Sequence, residues 1–372
     1  MREGRGRIDK VFLWSLSALV VFGLFMLLSA SGPTGYQKFN DVYYFFKHQI
    51  FFGIIPGLIL FLFFAFIDYK KLIRLAPVAL VGSILLLILV YIPGIGMRYG
   101  GSGRWVDIGI AAFQPSEFVK IAFLIYVAAW LVKRKELQEA NTLERGLIPF
   151  LLALGAVMFL LIMQPNTGSM VVIAGSALAI YFIAGAPLVW FAGLGAVGVV
   201  LFYSLIKATP YRAARVLTFL HPELDPQGIG YHINQAFLAI GSGGLIGLGY
   251  GHSRQKYLYL PEVAGDSIFA VISEEMGFFI TILFIILLGY FVHRCFVIAK
   301  NTSDPFGKYL AVGIGSWIGI QSTLNIASML GLVPITGVTL PFISYGSSAL
   351  VALSIACGIM ASISRGAKLW QN

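Results

Sequence analysis

The chain is a succession of long apolar runs broken by short polar segments. Runs of about 20 residues lie at 11–30, 44–66, 75–92, 112–132, 146–164, 169–185, 187–206, 267–292, 308–331 and 342–363, each long enough to cross a hydrocarbon core of roughly 30 Å. They are continuous rather than alternating, which favours helices over a barrel. The pattern predicts an all-α polytopic membrane protein with about ten transmembrane helices. Residues 207–266 separate the seventh and eighth runs, and a connection of that length is seldom an idle link. No soluble domain separates from the rest, so residues 1–372 are expected to form one integral membrane domain.

Composition sharpens this picture. The chain is 58% hydrophobic and 11% charged, with a mean hydropathy of +0.87, whereas a soluble domain has about a quarter of its residues charged. The net charge of +10 is no sign of a nucleic-acid partner. The basic residues sit in short connections: Arg2, Arg5, Arg7 and Lys10; Lys70, Lys71 and Arg74; Lys133, Arg134, Lys135 and Arg145; Arg294, Lys300 and Lys308; Arg365 and Lys368. Such clustering orients a protein among membrane lipids. It predicts cytoplasmic termini and places 31–43, 93–111, 164–168, 207–266 and 332–341 outside. The first run lacks a convincing cleavage site and reads as a retained helix. Cys295 and Cys357 suggest neither a disulfide nor a metal site.

Inside the long loop, Tyr211–Leu220 has Arg212 and Arg215 at helical spacing, with Val216, Phe219 and Leu220 apolar. That pattern predicts a short helix lying on the membrane surface. Ala236–Leu248 is apolar and glycine-rich, and reads as a half-inserted or packed segment.

Candidate chemistry gathers on the same side. Asp266 opens the eighth run, where it suits a helix N-cap or a general base at the water–lipid boundary. Glu274 and Glu275 lie two turns deeper, with Glu274 nearer the face of Asp266. Buried acids of this kind are functional or partnered. Glu117 and Lys120 stand three apart on one helix face and are expected to pair. Arg104 could snorkel or hold a pyrophosphate, and Arg254 and Lys256 could share that charge. Pro341–Ser348, with Ser344, opens the last run and could bind an anion. The five histidines show no ligand spacing. From the residues alone, a transporter and an enzyme acting on a lipid-linked substrate fit equally well.

Several ordered motifs narrow this. They are Gly103-Arg-Trp105, Gln114-Pro-Ser-Glu117 with Lys120, Gln164-Pro165 with Gly168, and Gln235 followed by Ala239-Ile-Gly-Ser-Gly-Gly244. Further along come Leu260-Pro-Glu262 with Asp266, Glu274-Glu275, and Pro341-Phe-Ile-Ser-Tyr-Gly346. Nearly end to end, the chain resembles the SEDS family (shape, elongation, division and sporulation proteins). His252–Glu262 and Phe219–Pro226 look closer to its division-type branch than to its elongation-type branch.

The resemblance implies ten helices and peptidoglycan glycosyltransferase activity. The implied substrate is lipid II, the undecaprenyl-pyrophosphate-linked disaccharide-peptide, and the implied partner is a class B penicillin-binding protein. It puts the essential aspartate on Asp266 and the polar cavity on Arg104, Gln114, Glu117 and Lys120. Gln235, Arg254, Lys256, Glu262 and Ser344 are expected to contact substrate. A Mg2+ or Mn2+ ion would suit the pyrophosphate, although no motif demands one. A lipid II flippase and a scaffold for the partner remain alternatives.

The chain also departs from the family pattern. Asn166 replaces an aspartate, Ala264-Gly265-Asp266-Ser267 replaces His-Thr-Asp-Phe, Ala236 replaces a serine, and Ser347 replaces a glycine. Pro334-Ile-Thr-Gly337 lacks the lysine of some members.

Overall fold

A computed structural model describes residues 6–99, 102–107, 109, 112–208, 210–221 and 230–367. Arg2, Arg5, Lys368 and the 222–226 part of the division-type motif lie outside the described residues. The apolar runs fold as helices because in lipid every backbone polar group must find its partner inside the chain. In order these are α1 (Lys10–Phe39), α2 (Tyr44–Phe66), α3 (Tyr69–Leu89), α4 (Pro115–Glu136), α5 (Leu143–Met163), α6 (Thr167–Ile183) and α7 (Leu188–Ala208). Two short helices follow, α8 (Pro210–Leu220) and α9 (Tyr231–Ser242). The last three are α10 (Ile268–Asn301), α11 (Pro305–Met329) and α12 (Ser347–Ser364). Among the described residues, eight helices are long and apolar enough to cross a membrane. The apolar stretches in α6 and α7 complete the ten expected spans, and the chain is a multi-pass membrane protein.

The bundle has an inner and an outer layer. Helices α4, α11 and α12 are largely buried, whereas α2 and α3 expose most of their apolar surface, as lipid-facing helices should. Helix α12 runs along α2, α3 along α4, and α11 packs against both α6 and α10. Trp317, Phe123, Phe269, Phe291 and Phe306 fill the centre. At one end, Asp9 N-caps α1 through a 3.0 Å bond to the Phe12 amide and pairs with Arg294 at 2.6 Å. The other end carries the long loop and the polar motifs around Asp266.

Three features differ from the sequence expectation. The loop 93–111 is not wholly irregular: β1 (Gly96–Tyr99), β2 (Ser102–Asp107) and β3 (Ala112–Phe113) form a small antiparallel sheet in the order β1-β2-β3. The fold is therefore helical with one short sheet, not strictly all-α. The last helix starts at Ser347 rather than 342. Ser344 closes the preceding turn, its Oγ accepting from the Leu340 amide at 2.8 Å.

The third difference lies in α10, which is broken at Gly277 (φ 71°, ψ −179°). Residues 244–249 cross that break. The Leu248 and Gly249 amides donate to the carbonyls of Glu274 and Glu275 at 2.9 and 3.0 Å, and the Phe278 amide donates to Gly244 O at 2.9 Å. The approach requires glycine: a Cβ on Gly247 or Gly277 would collide with the opposing backbone, and left-handed φ suits no larger residue. The predicted packed segment is this crossing.

Candidate active site

Asp266 sits where the long loop meets α10. It is not the N-cap, which is Ser267 and makes no side-chain cap bond. Its backbone is clamped instead: Asn325 on α11 donates through Nδ2 to Asp266 O at 2.8 Å and to Val338 O at 2.7 Å. The residue is partly accessible, yet Oδ1 is closed in and accepts no hydrogen bond among the described residues. Burial pushes the Asp266 carboxyl up to about 6, and the positive charge of Arg215 opposes a larger rise. A carboxyl near 6 is ionised at neutral pH and is basic enough to take a proton.

Arg215 is the partner that the apolar periodicity of α8 concealed. The helix forms as predicted, but Arg215 turns inward and donates through Nη1 to Ile335 O at 2.7 Å. A Cβ placed on Gly337 would lie 3.9 Å from Asp266 Oδ2 and 4.0 Å from Arg215 Nη2. Acid and guanidinium thus converge on the bare backbone of Gly337. Arg215 also lines a cavity of about 320 Å³ walled by Phe219, Ile233, Phe237, Val333, Pro334 and Ile335, with Thr218 and His232 as its other polar members; Asp266 lies behind Arg215 and is not part of the lining.

A second polar group lies deeper. Lys120 donates to both oxygens of Glu117 at 2.7 and 2.9 Å and to Gln321 Oε1 at 2.8 Å. Gln321 also accepts from Trp317 Nε1 at 2.7 Å and donates to Thr339 O at 3.0 Å. The predicted pair forms, and it ties α4 and α11 to the segment 332–341 that flanks Asp266. The contribution of Gln321 and Asn325 was missed, although an amide inside an apolar helix is itself a signal that something polar must be met.

The remaining candidates fall elsewhere. Arg104 donates to Gln164 O at 3.3 Å and to Pro165 O, so it braces the α5–α6 turn. Gln114 precedes α4 and gives its backbone amide to Ser348 Oγ at 3.1 Å. Asn166 caps α6 by accepting from the Ser169 amide and donates to Ser116 Oγ at 3.0 Å. Gln235 is half-buried on α9, and Glu262 is exposed.

Lys256 is 3% exposed and bonds to Glu275 Oε1 and Gly251 O at 2.8 Å and to Ser29 Oγ at 3.0 Å. It is thus an internal anchor rather than an open pyrophosphate contact. Arg254 keeps an exposed side chain and gives its amide to Glu274 Oε1 at 2.8 Å. Ser344 is likewise spent on its own turn. No group of three or more His, Cys, Asp or Glu side chains gathers as metal ligands among the described residues. The charge facing Asp266 is a guanidinium, so these residues do not form a cation cradle around the acid.

The family model for the FtsW, RodA and SpoVE cell cycle proteins matches residues 9–369. The chain belongs to this family. Stage V sporulation protein E of Bacillus subtilis (strain 168) is 40% identical over 350 residues, covering 93% of this chain and 94% of that one. A probable peptidoglycan glycosyltransferase FtsW of Trichlorobacter lovleyi is 38% identical over 361 residues, covering 97% and 94%. Among solved structures, a chain from a peptidoglycan synthase complex that coordinates polymerization and crosslinking superposes with a TM-score of 0.79 at 26% identity, covering 98% and 99%. The Thermus thermophilus rod shape determining protein RodA superposes with a TM-score of 0.71 at 25% identity, covering 97% and 98%. The FtsW/RodA/SpoVE fold therefore extends over nearly the whole chain.

Proposed function

We propose that this protein is a peptidoglycan glycosyltransferase that polymerises lipid II at the outer face of the cytoplasmic membrane. The observation that carries the reading is Asp266: a carboxyl with an unpartnered Oδ1 among the described residues, next to an arginine that lines a cavity, at the end of a lipid-embedded bundle. Its family supports the reading, as does the activity in the names of relatives that match it end to end.

The donor sugar is α-linked to pyrophosphate and the product bond is β-1,4, so one carbon is inverted. Asp266 takes the proton of the acceptor GlcNAc 4-hydroxyl as its oxygen attacks the donor anomeric carbon. The bond from that carbon to the pyrophosphate oxygen breaks, and undecaprenyl pyrophosphate leaves with the electron pair. General-base catalysis of this kind contributes about 10²–10⁴-fold. Arg215 holds Asp266 ionised and presents a cation near developing phosphate charge. The Glu117–Lys120–Gln321 group keeps the flanking 332–341 segment in place.

The basic connections support a topology with both termini in the cytosol and Asp266 outside, where lipid II carries its sugars. A class B penicillin-binding protein is the natural partner, since it would crosslink the strands made here. The setting is cell division, elongation or sporulation.

The test is polymerisation of labelled lipid II by the purified chain in detergent, with and without such a partner. Glycan strands from the unaltered chain and none from Asp266→Asn are expected. Polymer from Asp266→Asn would remove the acid from the reaction. Leaflet transfer of lipid II with no polymer would replace the enzyme by a flippase.

A further inference from the structure

One polar wall of the cavity plays no part in the chemistry above. His232, on α9, lines it together with Arg215. Its Nε2 stands 2.6 Å from Ser267 Oγ. The Ser267 hydroxyl has a single proton, and its acceptors are Pro261 O at 2.7 Å and the Asp266 carboxylate. Nε2 must then be the donor in the contact with Ser267, because a hydroxyl whose proton is committed can only accept. This selects the neutral Nε2–H tautomer and leaves Nδ1 with a bare lone pair.

Two observations agree. Burial, helped by the charge of Arg215, pulls the His232 imidazole down to about 4 despite Glu262, so the ring is neutral at neutral pH. Ser267 is fully buried, so the anchor is a fixed one. Nδ1 makes no hydrogen bond to any described residue.

We infer that His232 orients the acceptor sugar, its tautomer locked by the Ser267–Pro261 chain so that Nδ1 accepts a hydrogen bond from an N–H or O–H of an N-acetylated sugar seated beside Asp266. The inference rests on the reading of Asp266 as the base for such a sugar. The walls suit that ligand. Arg215 supplies a donor, Nδ1 an acceptor, and Ile233, Phe237, Val333 and Pro334 an apolar surface for the acetamido methyl. A site with one donor and one acceptor on fixed atoms discriminates between sugars far better than an apolar pocket does.

Two substitutions separate the two ends of the ring. In His232→Gln the side-chain amide still reaches Ser267, but no acceptor stands where Nδ1 was. In His232→Asn the carbonyl oxygen stands near Nδ1, but the reach to Ser267 is lost. His232→Gln should raise the KM for lipid II about tenfold, the loss of one hydrogen bond, with kcat within about twofold. His232→Asn should keep KM within about threefold and melt at a lower temperature. A wild-type KM in His232→Gln would overturn the inference and reduce His232 to a support for Ser267.

A second measurement needs no turnover. Long-range ¹⁵N–¹H spectra of the full chain with labelled histidine should show His232 as Nε2–H, with Nδ1 shifting when lipid II is added. An Nδ1–H tautomer, or no shift on addition, would sink the inference while leaving Asp266 and polymerisation untouched.

Discussion

Asp266 and the pair Glu274–Glu275 are acids on the same stretch of chain, and they are treated in opposite ways. Glu274 accepts from the Ser253 hydroxyl and from the Arg254 amide at 2.8 Å. Glu275 accepts from Ser29 at 2.7 Å, Lys256 at 2.8 Å and the Gly251 amide at 3.0 Å. Both are 1% exposed and bonded on all sides. Asp266 is more accessible, leaves Oδ1 without a partner among the described residues, and faces a guanidinium across a glycine. Full satisfaction makes a carboxylate a fastener, because its lone pairs and charge are already used. Partial satisfaction keeps a carboxylate available for a proton. Intramembrane acids are functional or partnered, and the hydrogen-bond inventory separates the partnered pair from Asp266.

The contrast can be broken or sharpened by experiment. The largest effect is expected from Asp266→Asn, with polymerisation falling by about 10²–10⁴-fold or to background and unfolding unchanged, read as glycan output and thermal melting of the same preparation. Glu275→Ala should do the reverse. It strands the buried ammonium of Lys256, which costs about 3–5 kcal/mol, so the protein should melt early or be recovered poorly. A stable Glu275→Ala that makes no polymer would erase the distinction.

Gly277→Ala should cost more than the about 1–3 kcal/mol of backbone strain alone, because its Cβ would also meet the backbone of Ile246 and Gly247. It too should appear in melting before it appears in activity.

The smallest effects concern pH. The base must be ionised, and the Asp266 carboxyl is raised to about 6. Polymerisation should therefore rise with pH through about 6 and fall about tenfold per unit below it. Arg215→Ala removes the charge that opposes the rise, so the midpoint should move to higher pH. A profile unchanged by Arg215→Ala would separate the guanidinium from the acid.

Much of this was legible in the chain. Ten apolar runs gave ten apolar helices, since length and hydropathy are what a bilayer demands. The Glu117–Lys120 pair was legible because a three-residue spacing on a helix leaves little choice. What escaped were contacts between distant segments. Arg215 followed a surface-helix pattern, and nothing in that pattern records that the segment 335–337 would come to lie against it. Lys256 looked like one more basic residue near a phosphate site, and its pairing with Glu275 depends on the glycine crossing. Ser344 and Arg104 sit in motifs whose polar atoms turn out to be consumed by backbone carbonyls and amides. The short sheet was hidden because Gly96–Phe113 lacks a sustained alternation.

The break at Gly277 has a mechanical consequence. Hydrogen bonds that would weld residues 268–276 to 278–301 are given to residues 244–249 instead. The segment 244–249 is bolted to both pieces, to residues 274–275 on one side of the break and to Phe278 and Phe279 on the other, so it splints the helix where its own ladder is interrupted. A bend can therefore be built into the longest helix of the bundle without leaving its interrupted backbone groups unpaired in lipid.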